Sequence, residues 1–140
     1  NAINGSNSMI MVYGEAKSGK SYTLFGCKDN KSSHEMGLFQ RCCNYLFTKL
    51  HSKSINHKID ISIVAIYKQC MFDLLVDDYR ENDFHQLSEI STKTIFNSHE
   101  LMNILNEAIL NKTRSMHRLG MHQNWSSMII KINITQTINK

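Results

Sequence analysis

The sequence contains no proline at all, against 14 asparagines. That bias reflects the base composition of a gene better than any physical demand of a fold. No apolar run is long enough to span a membrane, and the first residues lack the architecture of a secretory signal, so no membrane insertion is expected. The four cysteines, Cys27, Cys42, Cys43 and Cys70, form no C-x-x-C pair, which argues against a zinc site. They read as reduced, partly buried thiols of an intracellular protein. Cys42 and Cys43 are adjacent on an expected helix, so they point in different directions. The seven histidines lack metal-ligand spacing and read as surface or polar-loop residues. Asn-x-Ser/Thr sequons at Asn4, Asn30, Asn111, Asn124 and Asn133 are chance products of an Asn-rich chain without a secretion signal. No internal repeat or low-complexity segment stands out. A net charge of +4 is compatible with an acidic partner and demands none; no nucleic-acid partner is expected.

What is present describes a folded α/β chain. Hydrophobic residues make up 41% and charged residues 20% of 140, enough for one domain with a real core. Met9 to Tyr13 reads as a buried strand, and residues 19 to 25 as the start of a helix. Gly26 to Glu35 is polar and reads as a loop. From Gly37, Leu38, Cys42, Tyr45, Leu46 and Leu50 recur at helical spacing, with Phe39 and Phe47 alongside. Ile59, Ile61 and Ile63 alternate with Asp60 and Ser62, and Val64, Ile66 and Tyr67 continue this strand. Phe72, Leu74 and Leu75 end the apolar block. Residues 77 to 83 read as a charged turn, and Leu87 to Phe96 as one or two short strands. Asn97 with Glu100 forms a capping box, opening a helix with Leu101, Ile104, Leu105, Ala108 and Ile109 on one face. Its end is expected near Asn111. Residues 112 to 127 read as irregular, and Met128 to Ile138 as a strand with one wetted face. Strands and helices in alternation predict a layered sheet with flanking helices.

One run carries chemistry. Gly14-Glu15-Ala16-Lys17-Ser18-Gly19-Lys20-Ser21 fits the phosphate-loop pattern G-x-x-x-x-G-K-[ST]. The fixed positions coincide by chance in about one chain of this length in two hundred. A glycine-rich turn between strand and helix points successive N–H groups at a polyphosphate, and the helix N-terminus adds favourable charge. The amides of Ala16 to Ser21 would cradle the β-phosphate. Lys20 would reach the β- and γ-phosphates, and the Ser21 hydroxyl would ligate Mg²⁺. Two residues oppose the pattern's usual chemistry. Lys17 stands where glycine is easier, and Glu15 brings negative charge near the expected phosphates.

The order of segments resembles the kinesin motor domain, from the phosphate loop through the first switch. Gly5-Ser6-Asn7-Ser8-Met9-Ile10-Met11-Val12-Tyr13-Gly14 resembles the family's G-Y-N-G-T-I-F-A-Y-G. Gly14 to Gly26 resembles G-Q-T-G-S-G-K-T-Y-T-M-x-G, with Tyr22-Thr23 retained. Gly37-Leu38-Phe39 to Leu46-Phe47 resembles G-I-I-P-R-x-x-x-x-L-F, keeping Arg41 and losing the proline. Ile63 to Leu75 resembles S-x-x-E-I-Y-N-E-x-x-x-D-L-L, keeping Ile66, Tyr67, Asp73, Leu74 and Leu75. The helix after Asn97 falls where the family has its next helix, and Arg114 falls near the family's arginine beyond it. The resemblance implies a P-loop NTPase fold, incomplete here, with residues 1 to 140 forming part of a motor domain. It implies ATP and Mg²⁺ as cofactors, held by Gly14 through Tyr22. It implies microtubules as the partner and the cytoplasmic cytoskeleton as the location.

The chain also departs from the family. The first switch, N-x-x-S-S-R-S-H followed by a strand, corresponds to Met121-His122-Gln123-Asn124-Trp125-Ser126-Ser127-Met128-Ile129-Ile130, about two residues short, and the switch arginine is missing. Two alignments are open: Ser126 falls on the last switch serine, or Ser126-Ser127 fall on the serine pair. Ser126 is accordingly a contact to Mg²⁺ or the γ-phosphate, or a loop serine capping its own backbone. The second switch, D-x-x-G-S-E, has no counterpart, because no Asp-x-x-Gly occurs in these residues. The acidic stretch Asp77 to Asp83 suits an acidic tubulin surface poorly. Two functions follow as expectations. One is an ATP-driven microtubule motor, of which this segment alone does not turn over ATP. The other is a non-catalytic module that binds a partner motor chain or the cytoskeleton.

Overall fold

The structure is a computed structural model, and it describes residues 2–27, 36–52, 56–68, 70–76, 81–83, 90–118, 120 and 126–137. The chain divides into two compact units, residues 1–57 with 136–140, and residues 58–135.

In the first unit, helices α1 (Lys20–Phe25) and α2 (Leu38–Ser52) follow a short 3-10 turn at Ala2–Asn4. The strand expected at Met9–Tyr13 does not form. Residues 6–14 adopt no regular element, and Met9 and Tyr13 are 80% and 87% exposed. An apolar segment becomes a buried strand only when neighbours pair its backbone groups, and none of the described strands pairs with this one. α1 and α2 do form where the sequence predicts them. Gly26 N–H donates to Tyr22 O (2.8 Å) and closes α1. An antiparallel bridge between Gly26 and Met36 then starts α2 beside it. The approach is so close that a Cβ on Gly37 would lie 2.4 Å from Gly26 N, Leu24 O and Phe25 C. Phe25 meets Phe39 edge-on, with ring centroids 6.3 Å apart.

The buried face of α2 differs from the expected one. Cys43, Phe47 and Leu50 are buried, whereas Leu38, Cys42 and Tyr45 are exposed. Two apolar stripes lie one residue apart in this helix, and the contact of Phe39 with Phe25 selects the stripe 39-43-47-50. Burial pushes the Cys43 thiol up to about 12, with the adjacent Cys42 adding to the effect. Residues 28–35 of the expected loop lie outside the described residues.

The second unit is built on a sheet. Strands β1 (Asn56–Tyr67), β2 (Cys70–Asp73), β3 (Glu81–Asp83) and β4 (Lys93–Ile95) lie in the order β3-β2-β1-β4, and β5 (Ser127–Thr137) pairs with β1. β1 pairs antiparallel with both β2 and β4, and β2 pairs antiparallel with β3. β1 buries Ile59, Ile61, Ile63, Ala65 and Tyr67 on one face, the period-2 pattern seen in the sequence. Each buried isoleucine side chain contributes about 1.5–3 kcal/mol. The apolar block does not run through to Leu75 as one strand. It folds back at Lys68, which has a left-handed φ of 53°, so that Tyr67 faces Cys70. Residues 81–83, expected as a turn, instead pair with Cys70–Phe72. Of the stretch 87–96, Lys93–Ile95 forms β4, and residues 84–89 lie outside the described residues.

Helix α3 (Ser98–Arg118) packs beside β4. Its predicted cap is present. Glu100 N–H donates to Asn97 Oδ1 (2.8 Å), and the Glu100 carboxylate accepts from Phe96 N–H (2.9 Å). The predicted face holds too, with Leu101, Ile104, Leu105 and Ala108 buried. The helix runs on to Arg118 instead of ending near Asn111, so residues 112–118 are helical rather than irregular. Polar side chains hide this continuation, because they face inward with partners. Asn111 Nδ2 donates to Leu74 O (3.1 Å), and Ser115 Oγ donates to Asn111 O (2.8 Å). β5 confirms the alternating final strand, with Ile130, Ile132 and Ile134 half-buried and Lys131, Asn133 and Thr135 exposed.

Candidate nucleotide site

The phosphate-loop pattern occupies the turn that leads into α1. Lys17 takes a left-handed φ of 66°, as does Gly19 with φ 88°. Left-handed residues alternating with ordinary ones turn successive amides toward one side of the loop, the geometry of an anion-binding nest. For Lys17 this conformation carries the steric cost that a glycine avoids, as its place in the pattern suggested. Gly14 has φ 145°, a conformation that side chains rarely adopt, and a Cβ there would lie 2.9 Å from Ser18 Oγ, which would have to turn aside. Ser18 N–H donates to Glu15 O (3.2 Å), and Thr23 N–H to Gly19 O (2.9 Å), which joins the loop to the first turn of α1.

Lys20 folds back across the loop. Its Nζ donates to the carbonyls of Gly14 (2.7 Å) and Glu15. The ammonium thus stands over the loop mouth, satisfied by neutral carbonyls that a phosphate would outbid as a charged acceptor. Gly14 through Gly19, Ser21 and Tyr22 are exposed, and Lys20 is half-buried. The loop amides, the Lys20 ammonium and the Ser21 hydroxyl suit a Mg²⁺-polyphosphate. The acceptor-only Glu15 carboxylate, also exposed, is the one loop group that opposes it.

Ser126 belongs to the second unit, directly before β5, and is half-buried. Residues 121–125 of the first-switch region lie outside the described residues. The sequence reading missed one neighbour of Ser126. Lys112 Nζ donates to the Ser126 carbonyl (3.2 Å) from α3. Burial lowers the Lys112 ammonium from its ordinary value. The signal for Lys112 was the continuation of the helical face past Ala108 through Asn111, Lys112, Ser115 and Met116, which polarity obscured. Asp73 also plays a part that only the structure shows. One of its oxygens accepts from Leu75 N–H (2.9 Å) and the other from Ser91 N–H (2.7 Å), so this buried carboxylate staples the corner after β2 to the approach of β4.

Fold and loop together define a mixed α/β protein that carries a phosphate-loop pattern. The kinesin motor domain profile matches residues 1–140, and the chain belongs to that family. It is 36% identical over 110 residues to Kinesin-related protein 13 of Dictyostelium discoideum, covering 76% of this chain and 8% of that protein. It is 28% identical over 132 residues to the kinesin-like protein unc-104 of Caenorhabditis elegans, covering 86% of this chain and 8% of that protein. The chain therefore spans less than a tenth of the length of these relatives. Among solved structures, that of a fast kinesin superposes with a TM-score of 0.77 at 20% identity, covering 89% of this chain and 37% of the other. At that identity the likeness speaks for the fold, which is that of a kinesin motor.

Proposed function

We propose that this chain is the phosphate-loop-to-first-switch portion of an ATP-dependent microtubule motor acting at the cytoplasmic cytoskeleton. The observation that carries the reading is the loop from Gly14 to Ser21. It has left-handed turns at Lys17 and Gly19, and Lys20 Nζ stands over the Gly14 carbonyl at 2.7 Å, in a chain of the kinesin motor family. The amides of Ala16 to Ser21 would bind the β-phosphate, and Lys20 would leave the loop carbonyls to neutralise phosphate charge. Ser21 would hold Mg²⁺, which supplies charge neutralisation when bound. Tyr22 follows on the exposed side of α1. Ser126 would report the γ-phosphate. Catalysis of this kind rests on positioning and electrostatics, so a switch without its arginine lowers the rate by orders of magnitude.

That missing arginine favours a second reading, a non-catalytic kinesin-like module that binds the cytoskeleton or a partner motor chain without turnover. Co-pelleting with microtubules and ATP turnover, measured on the full-length protein and its Lys20→Ala variant, separate the two. The motor reading expects turnover that microtubules accelerate and Lys20→Ala abolishes. Pelleting with no turnover selects the second reading. The 140-residue segment alone is expected to turn over no ATP, and robust turnover by it that Lys20→Ala abolishes would overturn that expectation.

A further inference from the structure

We propose that Lys112 is a positioning residue for the first switch: its ammonium holds the backbone at Ser126 and so sets where the Ser126 hydroxyl is presented. Lys112 lies on a turn of α3 that is itself fixed. Asn111, beside it, donates from Nδ2 to Leu74 O (3.1 Å), and Ser115 donates to Asn111 O (2.8 Å). The Leu74 corner is in turn stapled by Asp73 to Leu75 and Ser91. From this anchored turn, Lys112 Nζ reaches the Ser126 carbonyl at 3.2 Å. The bond ties α3 to the residue immediately before β5.

The chemistry makes this bond more than packing. Removing an ammonium partly from water is costly, and the cost is offset only by a good acceptor. An apolar side chain of equal length fills the same space without that cost, so what the ammonium adds is the bond itself. The carbonyl and the hydroxyl of Ser126 branch from one Cα. Holding the carbonyl restrains the peptide plane that follows Ser126, and with it the position of the Cα from which the hydroxyl projects. A serine that must meet a single phosphate oxygen benefits from that restraint.

The proposal rests on the reading above that Ser126 contacts the γ-phosphate. The test uses the full-length protein and its Lys112→Met, Lys112→Arg and Lys20→Ala variants. The probes are the Mg²⁺ salts of a fluorescent ADP and a fluorescent non-hydrolysable ATP analogue. Lys112→Met is expected to weaken the ATP analogue about tenfold, the worth of one charge-assisted hydrogen bond, and to leave ADP unchanged. Lys112→Arg, which keeps a donor of similar reach, restores the affinity for the ATP analogue. Amide hydrogen exchange at Ser127 to Ile130 speeds up in Lys112→Met and returns in Lys112→Arg. Equal weakening of both nucleotides, or no change in either, overturns the positioning role while nucleotide binding by the loop stands. Failure of Lys20→Ala to weaken either nucleotide removes the loop reading, and the proposal with it.

Discussion

A single methyl group added at Gly37 would meet backbone atoms at very short range. One of the two Cα hydrogens of Gly37 faces Gly26 N, Leu24 O and Phe25 C, and a methyl in its place would stand 2.4 Å from all three. Ordinary contact between such atoms needs about 3.5 Å, so the chain must open by about 1 Å. The obstructing atoms are backbone, which cannot rotate aside as a side chain does. Opening the gap pulls apart the Gly26–Met36 bridge and the Phe25–Phe39 contact, which together set α1 beside α2. Overpacking in a well-packed interior costs about 1–3 kcal/mol, and the rigid neighbours place Gly37→Ala at about 3 kcal/mol. For a chain of this size that corresponds to a fall in Tm of about 8–12 °C, read by circular dichroism. The exposed Asn44 on α2 provides the control, and Asn44→Ala is expected to change stability by about 0.5 kcal/mol at most. A Gly37→Ala protein that melts within about 2 °C of the parent refutes the close-approach argument.

Two further outcomes are expected. Asp73→Ala leaves the Leu75 and Ser91 amides without their acceptor and is expected to cost about 2–4 kcal/mol in urea unfolding. Asp73→Asn keeps one acceptor oxygen and loses about half as much, so equal effects of the two would contradict the staple. Asp60 is held below the ordinary carboxylate range first by the Thr94 hydroxyl (2.6 Å) and then by Lys58 (2.9 Å). Because its folded value is depressed, the stability it contributes is present above about pH 4 and is lost as the pH falls through the folded value. Thr94→Val is expected to move the NMR titration midpoint of Asp60 upward, and an unmoved midpoint would show that the hydroxyl is not the main cause.

Elements whose signals are local were legible in the sequence. The Asn97 cap and the 101-104-105-108 stripe located the start and face of α3, and strict alternation located β1 and β5. Elements that depend on what lies across from them were not. Met9 to Tyr13 is equally apolar whether paired or solvated, so its composition could not reveal that no described strand pairs with it. The last two turns of α3 carry Asn111 and Ser115, whose polarity mimics a loop until their inward bonds are seen. In α2, two competing apolar stripes were separable only through Phe25, a contact between helices. The phosphate loop was legible as a pattern, and the strain of Lys17 with it. The resting place of Lys20 on the loop's own carbonyls was not, because every pattern residue is present whichever way that side chain lies.

The central claim is that the loop from Gly14 to Ser21 binds a Mg²⁺-nucleotide through Lys20 and Ser21. Titration of the full-length protein with fluorescent ADP, with and without Mg²⁺, tests it most directly. Saturable binding is expected to tighten with Mg²⁺ and to weaken about 10- to 100-fold in Lys20→Ala, since hydrogen bonds to charged groups contribute about 1.5–3 kcal/mol. Absence of saturable binding, or binding indifferent to Lys20, would contradict the account.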